Sequence, residues 1–231
     1  MPKPDPDQII SGPDDFAAAF NVSREAIASL ATYERLLRRW QKTVNLVATS
    51  TLGSTWHRHF ADSAQLVALA PAARTWVDLG SGAGFPGLVV AILLADKPGA
   101  DAARVSLIES DTRKCAFLRE VVRQTAISGR IAVDILSTRI ENVATQASLP
   151  KPDVVMARAL APLDKLLALA APLSPPPTVG LYLKGKDAAA EVDAARTAWT
   201  FEAELIPSLT ELEARVVVVR QLEAKNEGKP P

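Results

Sequence analysis

Residues 77–87 read VDLGSGAGFPG and stand between a short apolar run at 75–79 and an unbroken one at 88–95. Four glycines fall within eight residues, at Gly80, Gly82, Gly84 and Gly87. A strand that turns at once into a helix needs backbone freedom there, and missing side chains let the main chain approach a ligand closely. The helix that follows offers unpaired N–H groups carrying partial positive charge. In doubly wound α/β sheets this first strand-to-helix turn is where cofactors bind. A tight turn without a ligand is the bland alternative, and the glycine density at this position argues against it.

The remainder of the chain agrees with such a sheet. Strand-length apolar runs recur at 105–109, 131–135, 153–156 and 179–183, each followed by a helix-length segment, which predicts parallel strands joined by right-handed crossovers. No helical pattern separates 201–206 from 215–219, so these predict an antiparallel pair closing one edge. The expected fold is an α/β, doubly wound, mainly parallel seven-stranded sheet over residues 71–231, with an N-terminal arm and helical extension over 1–70. Within the extension Ile27, Leu30, Tyr33, Leu37 and Trp40 share helical spacing, and a second helix is expected from about 56 to 70, stopped by Pro71. Residues 1–15 hold four prolines and four aspartates and predict a poorly ordered arm. The tail after Glu223 is polar and expected to fray.

Charge narrows the function classes. Lys plus Arg and Asp plus Glu both number 26, so any nucleic-acid contact must come from local excess. Two such places exist. Arg35, Arg38, Arg39, Lys42 and Arg58 stand against Glu34 within 33–59, and Arg113, Lys114, Arg119, Arg123 and Arg130 against Glu120 within 112–130. The longest apolar run, 88–95, is too short to span a bilayer. A single cysteine, Cys115, allows no internal disulfide, and no His/Cys cluster suggests a metal. The start lacks the basic-then-apolar order of a signal peptide, so a cytoplasmic protein is expected.

Two ligands compete for the loop. Gly82, Gly84 and Gly87 satisfy G-x-G-x-x-G, and Glu109 lies where a ribose-binding acid would, which permits a nicotinamide-dependent oxidoreductase. Asp78, however, turns the pattern into D-x-G-x-G-x-G. Its carboxylate would repel a pyrophosphate and favour the sulfonium and ammonium of S-adenosylmethionine. Pro86 removes a donor that a phosphate would use. Glu109 at the end of the second strand suits the ribose hydroxyls of either cofactor.

At these residues the chain resembles the bacterial small-subunit ribosomal RNA guanine-N(7) methyltransferases, the glucose-inhibited division protein B family. The resemblance runs over residues 33–186. Arg39, Trp40, Lys42, Asn45 and Leu46 are similar to its first-helix signature, and Arg58, His59, Asp62 and Ser63 to its R-H-x-x-D-S motif. The loop with Phe85, Pro86 and Gly87 is similar to its cofactor loop. Phe117, Leu118 and Arg119 resemble its F-L-R, Arg139, Ile140 and Glu141 its R-x-E, Arg158 and Ala159 its S-R-A, and Leu183, Lys184 and Gly185 its L-K-G. Ala157 stands where Ser is usual, Glu109 where Asp is common and Gln41 where Asn is common.

The resemblance implies a class I, Rossmann-like S-adenosylmethionine-dependent enzyme. Its cofactor contacts carry over to Gly80, Phe85, Ile140, Glu141 and Arg158, beside Asp78, Gly82 and Glu109 from the loop reading. Arg158, just past the fourth strand, is the catalytic candidate, aligning cofactor and base. Arg38, Arg39, Asn45, Arg58, His59 and Lys184 are the candidate RNA contacts; Trp40 and Trp56 are considered for base stacking, although Trp40 lies on the apolar stripe. The implied partner is small-subunit ribosomal RNA or a ribosomal particle, met by a monomer without a membrane. The ring nitrogen at position 7 of guanine carries an in-plane lone pair, so the enzyme needs alignment rather than a general base. The stretch DVVMARALAPL lacks the Asn/Asp-Pro-Pro-aromatic motif of exocyclic-amine chemistry, and Cys115 is expected to be a partly buried helix residue. A non-catalytic RNA-binding protein of the same fold is the remaining alternative.

Overall fold

The computed structural model describes residues 8–127, 129–143 and 149–225. Expectations for 1–7 and for 226–231 lie outside the described residues.

Strict alternation along the strands decides the layers. Trp76, Val105, Leu107, Val154, Met156, Leu181, Leu183, Val216 and Val218 point to one face, while Val77, Leu79, Ile108, Val155, Ala157, Tyr182, Val217 and Val219 point to the other. A strand buried on both faces reads as a continuous apolar run, as these do. The strands are β1 (Thr75–Leu79), β2 (Arg104–Glu109), β3 (Ala132–Ser137), β4 (Val154–Arg158), β5 (Val179–Lys184), β6 (Trp199–Pro207) and β7 (Arg215–Ala224). They form one seven-stranded sheet in the order β3-β2-β1-β4-β5-β7-β6. Pairing is parallel from β3 to β5, and β7 runs antiparallel to both β5 and β6. The closing pair is therefore the expected one, although longer, and β7 runs on to Ala224, one residue into the tail expected to fray.

Helices cover both faces. On the first lie α1 (Pro13–Phe20), α2 (Arg24–Trp40), α3 (Asp62–Ala64), α4 (Leu66–Leu69), α5 (Gly87–Ala95) and α6 (Thr112–Gln124). On the second lie α7 (Ile140–Val143), α8 (Leu163–Ala170) and α9 (Ala188–Ala195). All nine residues of α5 are buried, because the sheet takes one side of the helix and the extension takes the other. That is why 88–95 can be apolar all round in a chain with no helix, among the described residues, long enough to cross a membrane.

The extension departs from expectation in two places. The arm expected over 1–15 is ordered from at least Ile10, which is buried, and Pro13 opens α1, whose Phe16 and Phe20 pack together with Phe16 edge-on to Trp56. Proline at the first helical turn costs no hydrogen bond, so the residue read as a breaker is a starter. In place of the single helix expected from 56 to 70 stand a π-helical turn at Thr55–Ala61, then α3 and α4, all preceded by a 3₁₀ turn at Thr49–Ser54. Apolar periodicity does not separate these helix types over so few residues. Ser23 caps α2 by accepting from the Ala26 N–H, and its own N–H donates to Asp96 Oδ2 at 2.9 Å, fastening the extension to the end of α5.

Candidate functional site

The carboxyl ends of β1, β2 and β4 open onto a cavity of about 430 Å³, within the range of small-molecule sites. Gly80, Gly82, Phe85, Glu109, Ile140, Glu141 and Arg158 all stand in its wall. These expected cofactor residues come from four separate segments, and the sheet brings them to one edge.

Two glycines show why the loop has its composition. Gly80 has φ +65°, and a Cβ there would lie 2.6 Å from Leu160 Cδ1. At Gly87 a Cβ would fall 2.3 Å from Leu107 Cδ2 and 2.5 Å from Asp78 Oδ2. The loop is thus pressed onto the strand ends, leaving room above it. Glu109 holds it in place: Oε2 accepts the Gly82 N–H at 2.9 Å and Oε1 accepts the Asp111 N–H at 2.8 Å. From above, the buried Tyr33 hydroxyl donates to the Ala83 carbonyl, and the Tyr33 ring stacks on Phe85 at 5.3 Å. Burial pushes the Tyr33 phenol well above its usual range, so it stays a donor.

Asp78 is not among the residues lining the cavity. It turns under the loop, where Oδ2 accepts the Gly87 N–H at 3.1 Å and the buried Oδ1 has no partner. Burial raises its carboxyl to about 7, partly offset by hydrogen bonds from Ser81 and Gly87 and by the Arg158 charge. Asp78, expected beside the cofactor, thus stands beneath the loop, with its carboxyl drawn toward the N-terminus of α5. Glu109 also differs from the free ribose acceptor expected: each oxygen already takes a backbone N–H. Its remaining lone pairs are what a ribose could use. Replacing it with alanine is expected to weaken S-adenosylmethionine binding tenfold or more in calorimetric titration, because bonds to a charged acceptor contribute roughly 1.5–3 kcal/mol each. Unchanged affinity would remove Glu109 from the site.

Arg158 ends β4, with its side chain 17% exposed. Its Nη1 donates to the Arg58 carbonyl at 3.0 Å and faces Asp62 Oδ2 at 3.4 Å, Nη2 lies 2.9 Å from His59 Nδ1, and the guanidinium sits 4.8 Å above the Phe85 ring. The next residue, Ala159, has φ +51°, a conformation uncommon for a residue with a Cβ, and it too lines the cavity.

Of the expected RNA contacts, the structure places Arg38, Arg39, Asn45 and Arg58 on the surface. Arg38 pairs with Glu34 at 2.7 Å and Arg58 with Glu211 at 2.7 Å. Two others have partners inside the fold. Lys184 is half-buried, its Nζ bonded to the Ala161 carbonyl and to Glu191 Oε2 at 2.7 Å, so it ties β5 to α9. His59 is buried too, stacked on Phe85 at 4.8 Å. Trp56 is likewise buried, and Cys115 is fully buried rather than partly so. Sequence reasoning missed Leu46 and Val47 in the cavity wall. Gln41 brings them there, its Oε1 accepting both of their N–H groups at 3.0 Å; an amide after a helix end was the available signal. Among the described residues no group of three or more His, Cys, Asp or Glu could hold a metal ion.

A family model described as GidB, rRNA small subunit methyltransferase G, matches residues 26–218. The ribosomal RNA small subunit methyltransferase G of Parvibaculum lavamentivorans is 50% identical over 218 residues, 94% of this chain and 92% of the relative. The chain belongs to this family. A further member, from Rhodospirillum centenum, is 52% identical over 198 residues, 85% of each chain. Among solved structures, the O-methyltransferase TomG from Streptomyces achromogenes superposes with a TM-score of 0.55 at 14% identity, covering 89% of this chain and 93% of its own. A Corynebacterium glutamicum protein does so with 0.56 at 18% identity, covering 85% and 91%. At such identities the likeness is one of fold, and the fold is that of class I methyltransferases.

Proposed function

We propose that this protein transfers the methyl group of S-adenosylmethionine to the ring nitrogen at position 7 of a guanine in small-subunit ribosomal RNA. Family membership supplies the reaction class and the RNA. The observation that carries the choice of atom is the state of His59, the imidazole beside Arg158. Burial and the charges of Arg158 and Arg58 lower it to about 3, and its Nδ1 faces a guanidinium that can only donate. The imidazole is thus held neutral with that nitrogen already engaged, which supports an acceptor that is nucleophilic without losing a proton.

The cavity fits the cofactor. The glycine loop leaves its floor open, Glu109 retains lone pairs for the ribose, Ile140 offers an apolar face to the adenine and Glu141 an acceptor for its amino edge. When bound, S-adenosylmethionine supplies an electrophilic methyl group on a sulfonium. The chain's own contribution is alignment. Arg158 orients base or backbone, with Asp62 offsetting its charge as the methylated ring becomes cationic. The nicotinamide-dependent and non-catalytic alternatives draw no support from the family.

RNA approaches over the seam between α2 and α6, where Trp40 packs on Phe117 and Arg39 is close enough to help lower the Glu120 carboxyl. Among the described residues Arg39, Lys42 and Arg119 are exposed and form no ion pair. Replacing these three with alanine should flatten the salt dependence of RNA binding, by roughly 0.7 in logarithmic slope for each single-strand phosphate they neutralise. An unaltered slope would make them a solvated face only. Large exposed apolar side chains among the described residues are Ile9, Leu205 and Leu212, which supports a monomer, and a ribosomal substrate is met in the cytoplasm.

The test is single-turnover methyl incorporation into small ribosomal subunits, and separately into their naked RNA, from cells lacking the gene, with the product nucleoside identified. At saturating cofactor the rate should be nearly flat between about pH 6.5 and 8.5, because no base has to deprotonate. A steep rise near neutrality that persists in Asp78→Asn would indicate a general base and overturn position 7 as the acceptor.

A further inference from the structure

The π-helical turn Thr55–Ala61 carries His59, and its backbone geometry is tied to Arg158 as well. In an α-helix the Asp62 N–H would bond to the carbonyl four residues back, at Arg58. Here it bonds instead to the carbonyls of His57 and His59. The Arg58 carbonyl accepts from Arg158 Nη1 at 3.0 Å, across 100 residues of sequence. The same turn sets His59 and Asp62 toward the guanidinium, at 2.9 Å and 3.4 Å.

We propose that Thr55–Ala61 and Asp62 form a cradle that orients the Arg158 guanidinium, with His59 as a positioning residue acting through Arg158. The proposal rests on the role given to Arg158 in methyl transfer. An arginine only donates, so His59 Nδ1 must accept and the imidazole proton sits on Nε2. Nε2 then donates to Thr51 Oγ1 at 2.9 Å, and Thr51 passes its own hydrogen to the Ala48 carbonyl at 2.8 Å. This chain of bonds leaves His59 one tautomer and one ring orientation. Phe85 stacks on the imidazole and also carries the guanidinium, so ring, cation and cofactor loop share one packing unit. Nη1 and Nη2 donate to the cradle, and Arg158 also lines the cavity. π-helical turns are rare and concentrate at functional sites, and this one exposes a carbonyl that an α-helix would have used.

The test compares His59→Phe, which keeps a ring on Phe85 but offers no acceptor, with His59→Asn, whose amide oxygen can stand near the Nδ1 position. Single-turnover rates are measured on small ribosomal subunits from cells lacking the gene, with S-adenosylmethionine saturating, in both wild-type and Arg158→Ala backgrounds. His59→Phe should slow methyl transfer by roughly tenfold to a hundredfold while cofactor affinity stays within about twofold. His59→Asn should recover most of that loss. In the Arg158→Ala background His59→Phe should cost less than about twofold, the non-additivity of a residue that works through another. An equal loss in both backgrounds, an unslowed His59→Phe, or no recovery in His59→Asn would overturn the proposal. Thr51→Val, which removes the partner of Nε2 from a surface turn, gives a second route should His59→Phe fold poorly, and its loss should also vanish without Arg158. A readout independent of activity is nitrogen NMR of the arginine side chains: the Arg158 Nη signals should be separately resolved in the wild type and merged in His59→Phe. Resolved signals in a wild type that transfers no methyl group would sink the function and uphold the cradle; merged signals in an active wild type would sink the cradle alone.

Discussion

Arg158→Ala is expected to slow methyl transfer about a hundredfold, the cost of misplacing reacting groups by about 1 Å. The same substitution should also lower the melting temperature. A residue at a strand end contributes little core, but this one joins β4 to the extension through the Arg58 carbonyl, His59 and Asp62. Losing those bonds should cost about 1–3 kcal/mol, or several degrees in a chain of this size. Asp62 keeps Gln65 and Thr210 as partners, which limits the damage. Arg158→Lys should rescue poorly, since an ammonium retains charge but neither the planar fork nor the stacking on Phe85. Single-turnover kinetics beside thermal unfolding separate the two effects. A variant that melts early yet transfers methyl at the wild-type rate would make Arg158 a structural residue only.

The second large effect concerns Asp78 and pH. Its carboxyl is raised from 3.8 to about 7 in the folded protein, first by burial. Between those values the folded state binds more protons than the unfolded one, so the unfolding free energy falls as pH rises from about 4 to about 7 and levels off above. Each pH unit in that window corresponds to about 1.4 kcal/mol, so the carboxyl removes up to about 4 kcal/mol of stability across it. Asp78→Asn, which can still accept from the Gly87 N–H, should abolish this component. Denaturant unfolding without cofactor, at pH 5 and pH 8, should show the variant gaining on the wild type as pH rises. An identical pH dependence in both proteins would place the carboxyl among ordinary ionised groups. Cofactor titration adds a discriminating arm: the variant should lose affinity for S-adenosylmethionine more than for uncharged-sulfur S-adenosylhomocysteine, and equal losses would reduce Asp78 to an anchor of the loop.

Local pattern alone determined the sheet, the loop and the family of this protein. Strand alternation, the Gly80–Gly87 spacing, the acid at Glu109 and the lone hairpin after α9 are properties of neighbouring residues, and neighbours in sequence impose them wherever the chain goes. What a charged or aromatic side chain does was decided by tertiary structure. His59 and Lys184 carry the polarity of RNA contacts, yet His59 is buried and Lys184 half-buried, each with partners inside the fold, and Asp78 has the charge for a cofactor but bonds a helix N-terminus. Leu46 and Val47 reach the cavity because Gln41 holds their backbone. Pro13 starts a helix because an apolar surface was there to receive Phe16 and Phe20. Arg158 meets its partners about 100 residues away, and no periodicity encodes that distance. The physical reason is the same in each case: the energy of a polar or charged group depends on the solvent it loses and the partner it gains, and both are supplied by segments remote in sequence.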